Sequence, residues 1–236
     1  MKLYAYCLCA DLDTFDKSIT GVSGAEVRVL KIEDIAVLVS ECDAVPVNRE
    51  NVLAHAAVVR SVLDRTTPMP FRFGTLATEQ QLRSFVTTNK RAIANKLAHL
   101  CGCVEMDLKA TWQSSKSVVS EPDPVTGPGT AFLREKRREL LGDEQAVAQR
   151  AELSGLLRTE LGSLIKDEKI SLRPSDRAAL AKVFHLVESS KINEYRNKVQ
   201  ELIEKRPELQ LEVSGPWPPY SFANIELEFR SQFGVS

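Results

Sequence analysis

The chain begins with an apolar run, Leu3-Tyr4-Ala5-Tyr6-Cys7-Leu8-Cys9, which predicts a first strand over residues 2–9. Residues 10–25 are loop-rich, with Asp11, Asp13, Gly21, Ser23 and Gly24. Val27–Leu30 and Ile35–Val39 are two further β-like runs, and the polar Glu33-Asp34 between them predicts a hairpin. Asn48 is placed to cap a helix that runs to about Asp64. Within it Val52, Ala56, Val59 and Leu63 recur at helical spacing, with Leu53 beside them, and predict the inward face. Thr66-Thr67-Pro68-Met69-Pro70 ends that helix, because proline restricts both itself and its predecessor. Phe71-Arg72-Phe73-Gly74 reads as a short extended piece. Thr78 then opens another helix with Leu82, Phe85 and Val86 inward, and helical pattern continues to about Leu100. Residues 1–100 therefore predict a small α+β domain in the order β-ββ-α-β-α.

From Cys101 to Trp112 the pattern is again that of a strand, with Cys103, Glu105, Asp107 and Lys109 alternating with Val104, Met106, Leu108 and Ala110. Ser114–Thr130 is rich in Ser, Pro and Gly and reads as a loop. A long helical stretch follows from Ala131 to about Lys166. Gly142, Gly155 and Gly162 divide it, since each costs about 1 kcal/mol against Ala in a helix interior. Lys169–Leu172 is a short strand stopped by Pro174. Leu180–Val187 is another, with Val183, His185 and Val187 on one face and Phe184 and Leu186 on the other. Lys191–Arg206 predicts a helix with Ile192, Tyr195, Val199, Leu202 and Ile203 inward, and Leu209–Val213 a last alternating strand. The order β-α-β-β-α-β over residues 101–214 predicts a ferredoxin-like domain with an elongated helical region. Residues 215–236 form a C-terminal tail. Its Gly215-Pro216-Trp217-Pro218-Pro219-Tyr220-Ser221-Phe222 has three prolines in four residues, which favours polyproline II and excludes a central strand. Ile225, Leu227 and Phe229 then alternate with Glu226, Glu228 and Arg230, as in a terminal strand. The fold class expected is α+β: two small domains, 1–100 and 101–214, and a Pro/aromatic tail.

Composition narrows the function classes. Of 236 residues, 43% are hydrophobic and 27% charged, which is ordinary globular composition. No apolar run approaches the roughly 18–20 residues that span a bilayer. Lys and Arg number 31 against 32 Asp and Glu, so bulk charge gives no support for a nucleic-acid binder. The N-terminal apolar run is short, and Asp11 and Asp13 follow it at once. It is read as a strand of a cytoplasmic protein rather than as a signal peptide.

Candidate chemistry is sparse. Five Cys do not suit a fully paired secreted framework. Cys7/Cys9 and Cys101/Cys103 are C-x-C pairs, whereas zinc sites favour C-x₂₋₄-C, so core packing is the preferred reading over a metal site. There are three His. His55, near Val52, Val59 and Val62, is either a general base or a structural side chain, and the structural reading is preferred. His99 lies at a helix end and His185 in a strand. No H-E-x-x-H, C-x-x-C or phosphate-cradling glycine loop occurs, and Gly21-Val22-Ser23-Gly24 fails the nucleophile-elbow spacing. Asp11, Asp13 and Asp16 read as a solvated loop, and the interrupted basic run Arg134, Lys136, Arg137, Arg138 as a solvated helix face. Arg72 points opposite to Phe71 and Phe73 if the stretch is extended. It is either half of a structural ion pair or a recognition residue.

Several segments together resemble one family. Asn51-Val52-Leu53-Ala54-His55, followed by Thr67-Pro68-Met69-Pro70-Phe71-Arg72-Phe73-Gly74, is similar to the "hxxH" helix and "PxRFG" segment of the gas vesicle protein family GvpL/GvpF. Gly102-Cys103-Val104-Glu105-Met106 resembles its "G-x-V-E" strand. Gly129-Thr130-Ala131-Phe132-Leu133 resembles its "G-x-x-Y-L" helix start, with Phe132 in place of Tyr. Ser214 to Phe222 is similar to its C-terminal signature. The resemblance implies a minor structural or assembly component of gas vesicles, non-catalytic, located in or on the shell. The partners implied are the major gas vesicle shell protein and other gas vesicle proteins, with no nucleic acid and no lipid membrane. It implies no cofactor, no metal and no catalytic residue. Arg72, Trp217, Tyr220 and Phe222 are the candidate interaction residues. A mean hydropathy of -0.17 makes the chain a poor lining for a gas phase without a hydrophobic patch or a covering partner.

Overall fold

The computed structural model describes residues 2–10, 12–16, 18–113, 151–173, 178–207 and 209–224. The sequence readings on residues 114–150 and 225–236, and on Asp11, lie outside them. The chain divides into two compact units. The first comprises Met1–Glu105 and Pro216–Ser236, the second Met106–Gly215.

The first unit is built on a five-stranded sheet in the order β2-β3-β1-β4, with β5 also on β1. β1 (Leu3–Ala10) is buried along nearly all its length, so it reads as a continuous apolar run rather than an alternating one. Antiparallel to it lies β3 (Ile35–Glu41), with a register shift between Ala5 and Cys7. β2 (Arg28–Ile32) and β3 form the predicted hairpin, closing at Ile32↔Ile35. The short β4 (Met69–Pro70) and β5 (Leu76–Ala77) flank the other side of β1.

Three helices complete this unit. α1 (Arg49–Leu63) starts where Asn48 accepts a hydrogen bond from the Asn51 N–H at 2.8 Å. α2 (Glu79–Thr88) starts in a capping box between Thr78 and Gln81 and buries Leu82, Phe85 and Val86 as predicted. α3 (Lys90–Leu100) is separated from α2 at Asn89. The inward face of α1 differs from the expectation. It is made by Asn51, His55, Val58, Val59 and Val62, whereas Val52, Leu53 and Ala56 are exposed and Leu63 is only half-buried. The cause is polar pairing. Asn51 accepts from the Ser23 N–H at 2.7 Å and donates to the Pro46 carbonyl at 3.0 Å, and His55 bonds a buried tyrosine. Two polar side chains with partners turn the helix away from its hydrophobic stripe.

The second unit holds a four-stranded sheet in the order β7-β8-β6-β9. β6 is Cys103–Gln113, β7 Ile165–Arg173, β8 Ala178–Glu188 and β9 Leu209–Trp217. β7 and β8 pair antiparallel from Ile165↔Val187 to Arg173↔Leu180. The described residues 151–161 are helical (α4), and α5 (Ile192–Lys205) buries Tyr195, Val199 and Leu202. Gly155 thus lies inside a helix, and Gly162 opens the 3-10 turn that ends it. β7 starts four residues earlier than the pattern suggested, and β9 extends past Val213 to take in Gly215-Pro216-Trp217. β9 is an edge strand, where a proline without an N–H is tolerated. Mixed helices and strands on two antiparallel sheets are thus the architecture.

Cys7, Cys9 and Cys103 are buried, Cys42 is half-buried, and all five cysteines are free thiols. Cys101 is exposed, so the core-packing expectation does not extend to it. Among the described residues no group of three or more His, Cys, Asp or Glu is placed to hold a metal ion. Among them, too, no helix is long and apolar enough to cross a membrane.

Candidate functional site

The interior of the first unit is organised by two tyrosines of β1 whose hydroxyls are buried but satisfied. The Tyr6 hydroxyl receives the Val22 N–H at 2.9 Å and lies 2.9 Å from Ser40 Oγ, which donates to the Glu26 carbonyl at 2.8 Å. One hydrogen per hydroxyl then makes Tyr6 the donor to Ser40. Gly21 is obligatory beside this group, because a Cβ there would lie 2.0 Å from the Tyr6 hydroxyl oxygen. The Tyr4 hydroxyl receives the Gly74 N–H at 3.2 Å and sits 2.9 Å from His55 Nδ1. Its own hydrogen is therefore assigned to Nδ1, which leaves the imidazole proton on Nε2. Nε2 faces the Phe71 carbonyl without closing a hydrogen bond of ordinary geometry.

The His55 ring lies 5.7 Å from Tyr6 in a stacked arrangement, 5.9 Å from Phe73 and 6.3 Å from Tyr220. Burial pushes His55 down to about 4, opposed by the Phe71 carbonyl. A neutral imidazole that is 4% exposed has no face for a dissolved substrate. Its chemistry is that of a strut between β1, α1 and the segment before β5.

The chain returns to this unit as a strap, Pro216–Ala223. Arg60 on α1 donates to the Pro216 carbonyl. Both oxygens of Glu105 are used on one residue: Oε2 accepts the Ser221 N–H at 2.7 Å and Oε1 the Ser221 hydroxyl at 2.8 Å. Glu105 is buried, so its carboxylate is held against solvent by this pairing. Phe222 is 1% exposed, while Trp217 is 47% and Tyr220 38% exposed. Burial raises the Tyr220 phenol, and the neighbouring Cys7, Tyr4 and Glu105 add to the rise.

Of the four candidate interaction residues, the structure thus gathers Trp217, Tyr220 and Phe222 on one strap, with Phe222 turned into its own unit. Arg72 stands apart. Its side chain is exposed, and its carbonyl accepts the Thr75 N–H at 3.2 Å and the Thr75 hydroxyl at 2.7 Å. The flanking rings point inward, Phe71 6.3 Å from Phe85 and Phe73 6.1 Å from Tyr4. Pattern reading missed Glu105 and Gly21. It also missed the outer face of α1, where Val52, Leu53, Ala56 and Ala57 are all exposed, with Val47 just before the helix 87% exposed.

A second buried histidine lies in the other unit. His185 Nδ1 is 2.8 Å from the Tyr195 hydroxyl, and Nε2 is 3.2 Å from Glu168 Oε2. Glu168 Oε1 also accepts from Ser154 Oγ at 2.8 Å and faces Arg158 at 3.4 Å. The His185 hydrogen bond, seconded by Ser154, holds the Glu168 carboxyl below the usual carboxylate range. Burial raises the Tyr195 phenol.

Comparison with known proteins bears on these features. The family described as "Gas vesicle synthesis protein GvpL/GvpF" matches residues 2–224. Gas vesicle protein F1 of Halobacterium salinarum is 26% identical over 240 residues, covering 99% of this chain and 98% of its own. Gas vesicle protein L of a Streptomyces species is 24% identical over 251 residues, covering 95% and 94%. Among solved structures, the gas vesicle protein GvpF from Anabaena sp. PCC7120 superposes with a TM-score of 0.72 at 18% identity, covering 95% of this chain and 96% of that one. GvpF from Microcystis aeruginosa gives 0.72 at 17% identity, covering 95% and 99%.

Proposed function

Because this chain belongs to the gas vesicle synthesis protein GvpL/GvpF family, we propose that it is a non-catalytic minor component of gas vesicles, attached to the major shell protein through an apolar surface of its first unit. The observation that carries this reading is the outer face of α1. Val52/Ala56 and Leu53/Ala57 repeat at a spacing of one helical turn and stand exposed, and Val47 precedes them. Contiguous exposed apolar side chains on a charged, globular chain mark a contact surface. The half-exposed Trp217 and Tyr220 supply aromatic anchors in the same unit. Arg72 is the exposed cation available for a polar rim. In this reading the partners are proteins of the vesicle rather than nucleic acid or lipid.

The burial of His55 speaks against a ligand-binding or enzymatic reading centred on His55 and Arg72, since one is enclosed and the other exposed. The packing of Phe222 speaks against a free polyproline tail read by another protein's groove. The sheet order β7-β8-β6-β9 is the support for reading the second unit as ferredoxin-like. The domain division 1–100 and 101–214, with the tail from 215, is kept as part of the same proposal.

The test is an immunoblot of floated, intact vesicles before and after a urea wash, for the wild type and for a Val52→Ser/Leu53→Ser variant. Retention of the wild type, with about a tenfold loss for the variant at unchanged melting temperature, supports stable attachment; tenfold corresponds to about 1.4 kcal/mol of lost contact. Release of the wild type on washing favours the alternative, a soluble assembly factor or chaperone for the shell protein. Equal retention of both proteins sinks the α1 face as the contact.

A further inference from the structure

The face of α1 that turns away from the core carries a definite pattern. Arg49, Leu53, Ala56, Arg60 and Leu63 follow one another at steps of four, three, four and three, the seam along which one helix packs on another. Leu53 and Ala56 stand exposed on this seam, with Val52 exposed beside it and Leu63 half-buried at its end. Two arginines thus bracket the apolar block, about 16 Å apart along the helix axis. No carboxylate stands on the seam. With about 100° between successive residues, Glu50 and Asp64 lie further round, on the side away from Val52, and Asp64 faces Arg60 at 4.0 Å. The Arg49 side chain has no ion pair or hydrogen bond among the described residues.

The strap borders this seam. Arg60 donates to the Pro216 carbonyl, and five residues earlier on α1 the His55 ring meets that of Tyr220 at 6.3 Å, so the strap runs back along the helix. Trp217 and Tyr220 are part-exposed on it. Neither border leaves main chain for a partner strand. The backbone of α1 is used within the helix. Pro216, Pro218 and Pro219 have no N–H, and their carbonyls accept from Arg60, from the Tyr220 N–H at 2.7 Å and from the Phe222 N–H at 3.1 Å. The Ser221 N–H is on Glu105. An extended peptide that binds by adding a strand finds no ladder here, whereas a helix brings its backbone already satisfied and needs only side chains to meet.

We propose that the surface between α1 and the strap takes one amphipathic helix of another protein, whose apolar side is bordered by carboxylates that meet Arg49 and Arg60. The proposal rests on reading α1 as the attachment face and adds what that face receives. Ala56 leaves room at the middle of the seam for a large apolar side chain of the incoming helix, and Leu53, Val52, Trp217 and Tyr220 surround it. The charge pattern selects the partner. Antiparallel pairing of two copies of α1 centred on the Val52–Ala57 block sets Arg49 against Arg60, and parallel pairing sets each arginine against itself. Like charges facing across the seam disfavour a second copy, while carboxylates in those places form charge-assisted pairs.

The test is a titration of the purified full-length chain with three synthetic helical peptides that share one leucine stripe. They differ only in the two residues, eleven positions apart, that bracket it: both Glu, both Gln or both Lys. The Glu peptide should bind saturably and about tenfold more tightly than the Lys peptide, with a margin that shrinks as salt rises. Leu53→Ser should weaken the Glu peptide about tenfold. Arg49→Glu, at unchanged melting temperature, should reverse the preference in favour of Lys. No saturable binding of the Glu peptide overturns the proposal. So does equal binding of all three peptides, or a preference that Arg49→Glu leaves in place. The urea-washed vesicle separates this failure from that of the attachment reading. Loss of the Val52→Ser/Leu53→Ser protein with full retention of the Arg49→Glu protein keeps the face and overturns the acidic helix. The predicted peptide binding with full vesicle retention of Val52→Ser/Leu53→Ser keeps the helix site and overturns the attachment.

Discussion

Each unit buries one histidine against one tyrosine, and the third partner decides what the pair is. In the first unit the Tyr4 hydroxyl meets His55 Nδ1 at 2.9 Å, and the other ring nitrogen faces only a carbonyl at poor geometry. In the second the Tyr195 hydroxyl meets His185 Nδ1 at 2.8 Å, and the other nitrogen lies 3.2 Å from the Glu168 carboxylate, itself bonded to Ser154. The same pair is thus a neutral strut in one place and part of a charge-assisted chain in the other. Burial alone costs a histidine its charge; a buried carboxylate partner changes what is held and by what force. The strap belongs to the first unit, and its own anchor there, the buried Glu105 carboxyl, is separate from the Tyr4–His55 pair.

The sharpest break of this comparison is Glu168→Ala. It removes the acceptor of His185 Nε2 and of Ser154 together, and the loss of these two hydrogen bonds to a carboxylate costs about 3 kcal/mol. Arg158 adds little of this, since its side chain is 73% exposed. Denaturant unfolding followed by a second-unit probe checks the figure; a cost below about 1 kcal/mol would make the chain an ordinary surface network.

Acid separates the two histidine sites next. The folded pKa of His55 is lowered from 6.5 to about 4, so the unfolded chain binds the extra proton between those values. Its contribution is therefore complete above pH 6.5 and lost as pH falls towards 4, by about 3 kcal/mol at most. Glu168 runs in a lower window. Its folded pKa is lowered from 4.5, so its contribution is present above that pH and lost on further acidification. The imidazole proton resonances of His55 should show no titration between pH 7 and 5. Titration near 6.5 would mean that its enclosure opens in solution.

Much of the scaffold around these sites was legible because it depends on near neighbours. The hairpin at Glu33-Asp34, the caps Asn48 and Thr78, and the inward triplet Leu82, Phe85 and Val86 all follow from local spacing and turn chemistry. What failed to show depends on partners distant in sequence. The face of α1 was misread by about one residue, roughly 100° of helix rotation, because Asn51 and His55 are buried by hydrogen bonds that hydrophobic periodicity does not score. Glu105 alternates along its strand like any polar residue, and its partner Ser221 lies 116 positions away. The need for Gly21 comes from the Tyr6 hydroxyl of another element, not from a turn that demands glycine.

That last residue gives the third test. Gly21→Ala drives a methyl onto the Tyr6 hydroxyl, which is already committed to Val22 and Ser40. Overpacking of this kind costs about 2 kcal/mol, and adding Tyr6→Phe to vacate the oxygen should recover part of it. No recovery in the double variant would place the strain on Ser40 Oγ, 2.7 Å from the same Cβ, or in the backbone around Gly21.

The smallest expected effect is the most discriminating. Tyr4→Phe keeps the ring in the aromatic cluster but removes the acceptor for Gly74 N–H and the donor to His55 Nδ1. Gly74 is exposed, so its N–H can turn to water, and the unpaired His55 Nδ1 is the main cost, about 1 kcal/mol. The titration of His55 should nevertheless stay where it is, because burial and not the Tyr4 hydroxyl holds its pKa down. Stability and proton affinity therefore come apart in the first unit. In the second they are tied, since the His185 hydrogen bond that orders Glu168 is also the largest cause of its lowered pKa. If Tyr4→Phe moved the His55 titration as well, the hydroxyl would be setting its charge state, and the two histidines would be variants of one device rather than two.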